Sequence, residues 1–187
     1  MIQEITEYLS ADHDRLDALL QHTITESDEI DQTAYIQFRQ GLLRHIGIEE
    51  KILIPALKID MNAIMKDTVE RIHLDHSAIV ALLVPPPSPE IISALHKILS
   101  RHNELEERNG GFYEQADAYD AQAVQHIADA VKNAPEVKTL PNNSNPVALD
   151  AARRALERAG YSPDEYLQAA DRSGMDKEEQ SDGENKF

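Results

Sequence analysis

His45-Ile46-Gly47-Ile48-Glu49 and His102-Asn103-Glu104-Leu105-Glu106 each set an imidazole and a carboxylate four residues apart inside an apolar helical stripe. Four residues is just over one helical turn, so both side chains of a pair leave the same face. The first pair continues Tyr35, Phe38, Leu42 and leads to Ile52; the second continues Ile92, Leu95, Leu99. Steps of three and four are the signature of a helix that buries one side. Two further stripes carry a histidine in the same way. They are Ile5, Leu9, His13, Leu16, Leu20 and Met65, Val69, Ile72, His76, Ile79, Leu83. Four such stripes predict an all-α fold, a four-helix bundle whose inward faces meet.

The breaks between stripes agree with this reading. The polar stretch after Thr23 predicts a connection, and the second helix is expected over residues 31 to 57. A third should span residues 61 to 84 and end at Pro85-Pro86-Pro87, because proline cannot extend the hydrogen-bond ladder. Ser88 followed by Pro89 signals a new helix start. Asn109-Gly110-Gly111 should end that fourth helix. Ser10, followed by Asp12 and Asp14, reads as a cap for the second half of the first helix. Beyond it, residues 120 to 133, 147 to 159 and 163 to 170 predict shorter helices, with Pro141 to Pro146 a linker by composition. The expected organisation is a bundle over 1–115, a helical C-terminal extension over 116–175 and a disordered acidic tail over 176–187.

Composition removes several classes of function. The chain has 187 residues and no Cys, which excludes disulfides, thiolate metal sites and cysteine nucleophiles. It carries 34 acidic against 18 basic residues, a net charge of -16 that repels phosphate backbones and anionic lipid surfaces. No nucleic acid and no membrane partner is expected. The first residues lack a basic and apolar leader, and no apolar run approaches the ~20 residues of a spanning helix. A cytoplasmic location is the expectation.

His13, His45, Glu49, His76, His102 and Glu106 all occupy positions that the pattern assigns to the interior. A buried imidazole or carboxylate is costly unless paired or coordinated. One such residue is ordinarily a hydrogen-bonded core group, but six spread over four helices call for a common cause. A carboxylate has two oxygens and can bridge two cations, so two His-x-x-x-Glu pairs plus His13 and His76 can hold a two-ion site. Imidazole and carboxylate without thiolate suit iron, manganese or zinc. A tetrahedral structural zinc needs only four ligands. Two ions of higher coordination number fit better, with iron favoured over manganese.

Asp12-His13, Arg44-His45-Ile46-Gly47-Ile48-Glu49-Glu50 with Pro55, Asp75-His76 and Arg101-His102-Asn103-Glu104-Leu105-Glu106-Glu107 resemble the hemerythrin-like family, the HHE cation-binding domain. The resemblance covers about residues 1 to 115. It implies an antiparallel up-down-up-down bundle around two iron ions with an oxo or hydroxo bridge. Glu49 and Glu106 then correspond to the bridging carboxylates. It differs from the oxygen carriers in two places. Their extra third-helix histidine stands four residues before the other, whereas His73 precedes His76 by three. His73 is therefore a candidate seventh metal ligand, a residue that supports a ligand from behind, or a boundary residue. The acid of the fourth helix follows its histidine by four residues, as in the bacterial HHE pattern. The cysteine-bearing segment of iron–sulfur repair relatives is absent. Glu50 and Glu107 should face water or neighbouring helices, and His22, His96 and His126 fall off the inner stripes.

Three functions are consistent with such a centre. The favoured one is a binding protein for a small diatomic ligand such as oxygen or nitric oxide, or a sensor of redox or iron state. Ile72, Ile79 and Val80 would line its open coordination position. The second is an enzyme acting on peroxide or nitric oxide, or delivering iron for cluster repair; it needs an acid–base group that no other inner polar residue of the stripes offers. The third is an interaction protein with a structural metal, docking a protein partner or a second copy through the C-terminal extension.

Overall fold

Four helices begin at a side chain that bonds their free first-turn amides. Asp31 accepts from the Thr33 and Ala34 N–H groups at 2.8 and 3.0 Å. Asn62 accepts from Met65 at 2.9 Å, Ser88 from Ile91 at 3.3 Å and Asn145 from Val147 at 3.0 Å. Such caps satisfy donors that no helical carbonyl reaches. The computed structural model describes residues 4–25, 29–57, 61–118 and 121–168. In chain order these form α1 (Glu4–Gln21), α2 (Gln32–Ile48), a π-helical segment (Glu49–Leu53) and α3 (Ile54–Leu57). Then follow α4 (Ala63–Leu82), α5 (Pro89–Glu107), α6 (Phe112–Asp117), α7 (Ala121–Lys132), α8 (Pro146–Arg158) and α9 (Pro163–Tyr166). Among the described residues the only extended pairing is a single bridge between Ile24 and Ile30. None of these helices is long and apolar enough to cross a membrane. The acidic stretch 176–187 lies outside the described residues.

The predicted stripes of α1 and α4 are buried throughout. α1 runs without a restart at Ser10, because its apolar stripe is continuous through that point. Two positions are corrected by one residue: Leu99 is only partly buried while Ile98 is fully so, and Ile52 is partly buried while Leu53 is fully so.

The second shift has a physical cause. Proline at 55 has no N–H, and in an α-helix its ring would press on the carbonyl four residues back. The chain widens one turn instead, and Ile54 N–H bonds the Glu49 carbonyl five residues away. More residues per turn keep steps of four in line, so His45, Glu49, Leu53 and Leu57 are all buried.

The core is two apolar clusters. One holds Leu16 and Leu20 of α1, Phe38 and Leu42 of α2, Ile79 and Leu82 of α4, and Leu95 and Ile98 of α5. The other holds Ile5 and Leu9 of α1, Leu53 and Leu57 beyond α2, Met65 and Ile72 of α4, and Phe112 and Tyr113 of α6. The polar members of every stripe fall between them. The helices after α6 extend both clusters: Val124, Ile127 and Val131 of α7 join the second, and Ala152 and Leu156 of α8 join the first.

The proline- and asparagine-rich stretch before α8 is anchored and does not hang free. Asn142 donates its amide to the Leu83 and Pro85 carbonyls at 3.1 and 2.8 Å. Three successive prolines leave that turn with carbonyls and no donors, and the amide supplies them.

Candidate metal centre

Each of the four long helices brings one histidine to the polar layer. α1 presents His13, α2 His45, α4 His76 and α5 His102, while Glu49 comes from the π segment and Glu106 from the end of α5. All six are buried. They form two groups that share both glutamates: His13, His45, Glu49 and Glu106, and Glu49, His76, His102 and Glu106. Within each group one donor atom per residue lies within 4.8 Å of all the others. His13 Nε2 stands 3.5 Å from Glu106 Oε2, and His45 Nε2 stands 3.5 Å from Glu49 Oε1. On the other side His76 Nε2 is 3.1 Å from Glu49 Oε2, His102 Nε2 is 3.3 Å from Glu106 Oε2, and the two ring nitrogens are 3.2 Å apart.

The outward nitrogen of each ring faces a further carboxylate. His45 Nδ1 meets Asp12 at 3.0 Å, His13 Nδ1 meets Glu107 at 2.5 Å and His76 Nδ1 meets Glu50 at 2.7 Å. His102 Nδ1 faces Asp75 at the longer distance of 3.7 Å. A carboxylate on one nitrogen fixes the tautomer and aims the other nitrogen inward, the usual support of a metal-binding imidazole. Glu50 and Glu107 thus turn to neighbouring helices, and each orients a histidine there. Asp75 is itself held by Arg71 and by the Tyr161 hydroxyl at 2.7 Å, and Arg71 also donates to the Ala159 carbonyl at 2.6 Å. The segment after α8 therefore supports the His102 side of the layer.

Electrostatics test whether these residues suit metal ions. Burial raises both inner carboxylates, but His45 and His76 pull Glu49 well below the usual range. Glu106 is pushed well above it by burial and by the charge of Glu49. Without a cation, then, the two carboxylates cannot both ionise in one dry layer. His45 and His76 are pulled down by burial, yet their carboxylate partners outweigh it and hold each at about 9. Glu106 Oε1 is buried with no hydrogen-bond partner among the described residues. Glu49 Oε2 is buried too, with His76 Nε2 its near neighbour at 3.1 Å. Orphaned carboxylate oxygens facing converging imidazoles are the donor set of a hard-to-borderline cation. The residues fit two metal ions.

One inner polar side chain escaped the sequence reading. Tyr113 is fully buried, and its hydroxyl lies within hydrogen-bond distance of two carboxylates, Glu49 Oε1 at 2.5 Å and Glu106 Oε2 at 3.0 Å. It also stands 3.3 Å from both His13 Nε2 and His45 Nε2. The glycine turn delivers it. Gly110 has φ 72°, and a Cβ on Gly111 would meet the Glu106 carbonyl at 2.5 Å. Only glycines let the chain reverse this tightly against the end of α5. Tyr113 lies on no long stripe; the available signal was the Gly-Gly pair followed by Phe112-Tyr113.

His73 lies outside both groups. Its side chain is 46% exposed, and its Nδ1 meets Glu50 at 2.8 Å. His22, His96 and His126 are exposed, as their positions off the stripes implied. Ile72 and Ile79 flank the layer from the two clusters, but Val80 is 36% exposed and turns away. A cleft of about 310 Å³, lined by His13, Leu16, Leu42, Leu99 and Glu107 among others, brings solvent to the edge of the first group.

The family model of the hemerythrin HHE cation binding domain matches residues 4–129. Comparison with curated proteins and with solved structures finds no match.

Proposed function

Since the chain belongs to the hemerythrin HHE cation-binding family, we propose that it holds two iron ions, joined by an oxo or hydroxo bridge, and uses them to bind or sense a small diatomic ligand or the redox or iron state of its surroundings. The observation that carries this reading is the sharing of Glu49 and Glu106 by two four-donor groups. In it, His13 and His45 serve one ion, His76 and His102 the other, and each glutamate spans the pair. His73, the remaining candidate ligand, acts through Glu50 on the orientation of His76. An up-down-up-down arrangement is supported by the order in which the helices visit the clusters: α1 and α4 run from the second to the first, α2 and α5 from the first to the second.

When bound, the iron pair would supply electrons and a place for an uncharged ligand. The protein excludes water with Ile72 and Ile79, which are fully buried on either side of the layer. It aims His45, His76 and His13 through hydrogen bonds to Asp12, Glu50 and Glu107, and sets Asp75 3.7 Å behind His102. A cytoplasmic location suits a chain without cysteine, and the helices after α6 are the surface for a protein partner or second copy.

The test is elemental analysis after expression with iron, followed by anaerobic reduction and titration with oxygen, nitric oxide and peroxide, read by absorbance. The expected result is about two irons per chain and a reversible spectral change with oxygen or nitric oxide. One zinc per chain, or no transition metal, overturns the reading. Consumption of many equivalents of peroxide or nitric oxide replaces it with the enzymatic one.

A further inference from the structure

Tyr113 stands where a ligand to one ion would stand. On an ion with bonds of about 2.1 Å, donors at right angles lie roughly 3 Å apart. The Tyr113 oxygen is 2.5 to 3.3 Å from four atoms: Glu49 Oε1, Glu106 Oε2, His13 Nε2 and His45 Nε2. Those four residues are the whole of the first group. A hydroxyl meeting four would-be ligands at ligand-to-ligand spacing shares their coordination sphere. It belongs to one side only, since among the described residues no hydroxyl makes hydrogen-bond contact with His76 Nε2 or His102 Nε2.

We infer that Tyr113 is a fifth protein ligand to the ion held by His13 and His45, bound through its phenolate oxygen. The inference rests on the two-metal reading above. Binding forms an oxygen–metal bond and breaks the phenol O–H bond, and the proton is released to solvent. Burial and the charges of Glu106 and Glu49 favour the neutral phenol; a bound cation reverses that preference, as it does for other acidic ligands. The two ions then differ. The first then has five side-chain donors, three of them anionic. The second keeps two imidazoles and the shared carboxylates, so it carries the open position. Small ligands are taken up on the His76–His102 side.

The experiment loads the full-length protein with ferric iron, measures iron content, and records the visible absorption and resonance Raman spectra of the same samples. A phenolate ligand gives a tyrosinate-to-iron charge-transfer band. Excitation into it enhances tyrosine ring modes, which shift when ring-deuterated tyrosine is incorporated. Wild-type protein should show the band and the isotope shift. Tyr113→Phe should keep its iron yet lose both, while Tyr161→Phe, altering a hydroxyl on Asp75, should keep both. Iron-loaded wild type without tyrosine modes overturns the inference and leaves the two-metal reading standing, as do modes that survive in Tyr113→Phe. Failure to load a second ion removes both. Absence of the isotope shift from iron-loaded wild type overturns the inference even where the variant does not fold.

Discussion

Glu106 contacts donors of both groups, whereas His73 reaches the layer only through Glu50. Their replacements should therefore differ. Glu106→Ala should cut iron from about two per chain to less than one, and His73→Ala should leave it near two, measured by elemental analysis of purified proteins. The reverse result would overturn the ligand assignment. The six buried residues were legible in the sequence because an apolar stripe makes a polar intruder conspicuous. His73 was ambiguous for a geometric reason: three residues are about 60° short of a full turn, enough to swing a ring from core to boundary. Tyr113 was not legible, since periodicity stops at a glycine turn and says nothing about where the chain re-enters.

Whole helices were predicted more closely than their local winding. The cap at Ser88 and the stop at Pro85 follow from backbone donors and acceptors, which sequence displays directly. The π turn required weighing Pro55 against continued burial of Leu53 and Leu57, and the widened turn satisfies both. α6 was invisible as an element because six residues carry too little pattern. It nevertheless ties the fold together. Asp117, at its end, accepts from the Ile5 and Thr6 amides, each at 3.1 Å, and from the Thr6 hydroxyl at 2.5 Å. It thus caps α1 from more than a hundred residues away in sequence. Asp117→Ala should destabilise the protein by roughly 0.5–2 kcal/mol, the usual loss for a removed cap. Chemical denaturation measures that change, with iron content expected to stay at the wild-type level.

At the scale of the molecule, a charged layer divides the apolar core, and metal is what reconciles its two halves. Removing the ions should lower the melting temperature well below that of the loaded protein, with helix content largely retained. The pH dependence of the metal-free form has a definite sign. His45 and His76 rise from 6.5 to about 9 on folding. Their stabilisation is complete below 6.5 and is lost as pH climbs through 9. Glu106, raised by burial and by Glu49, ionises unfavourably in the same direction, while His102, lowered by burial, opposes the trend only near and below 6.5. Loading instead strengthens with pH, because metal competes with protons for the same atoms. The gap between the two melting temperatures should therefore widen between pH 6.5 and 9, as calorimetry in matched buffers would measure; a constant gap would contradict the coordinating layer. The cleft beside His13 and Glu107 has a consequence in time as well as in energy. With hydrocarbon at both ends of the layer, this opening gives a chelator a sideways approach to the first group. A bulky chelator should therefore strip the protein more slowly than a compact one of equal affinity, as loss of metal over time would measure.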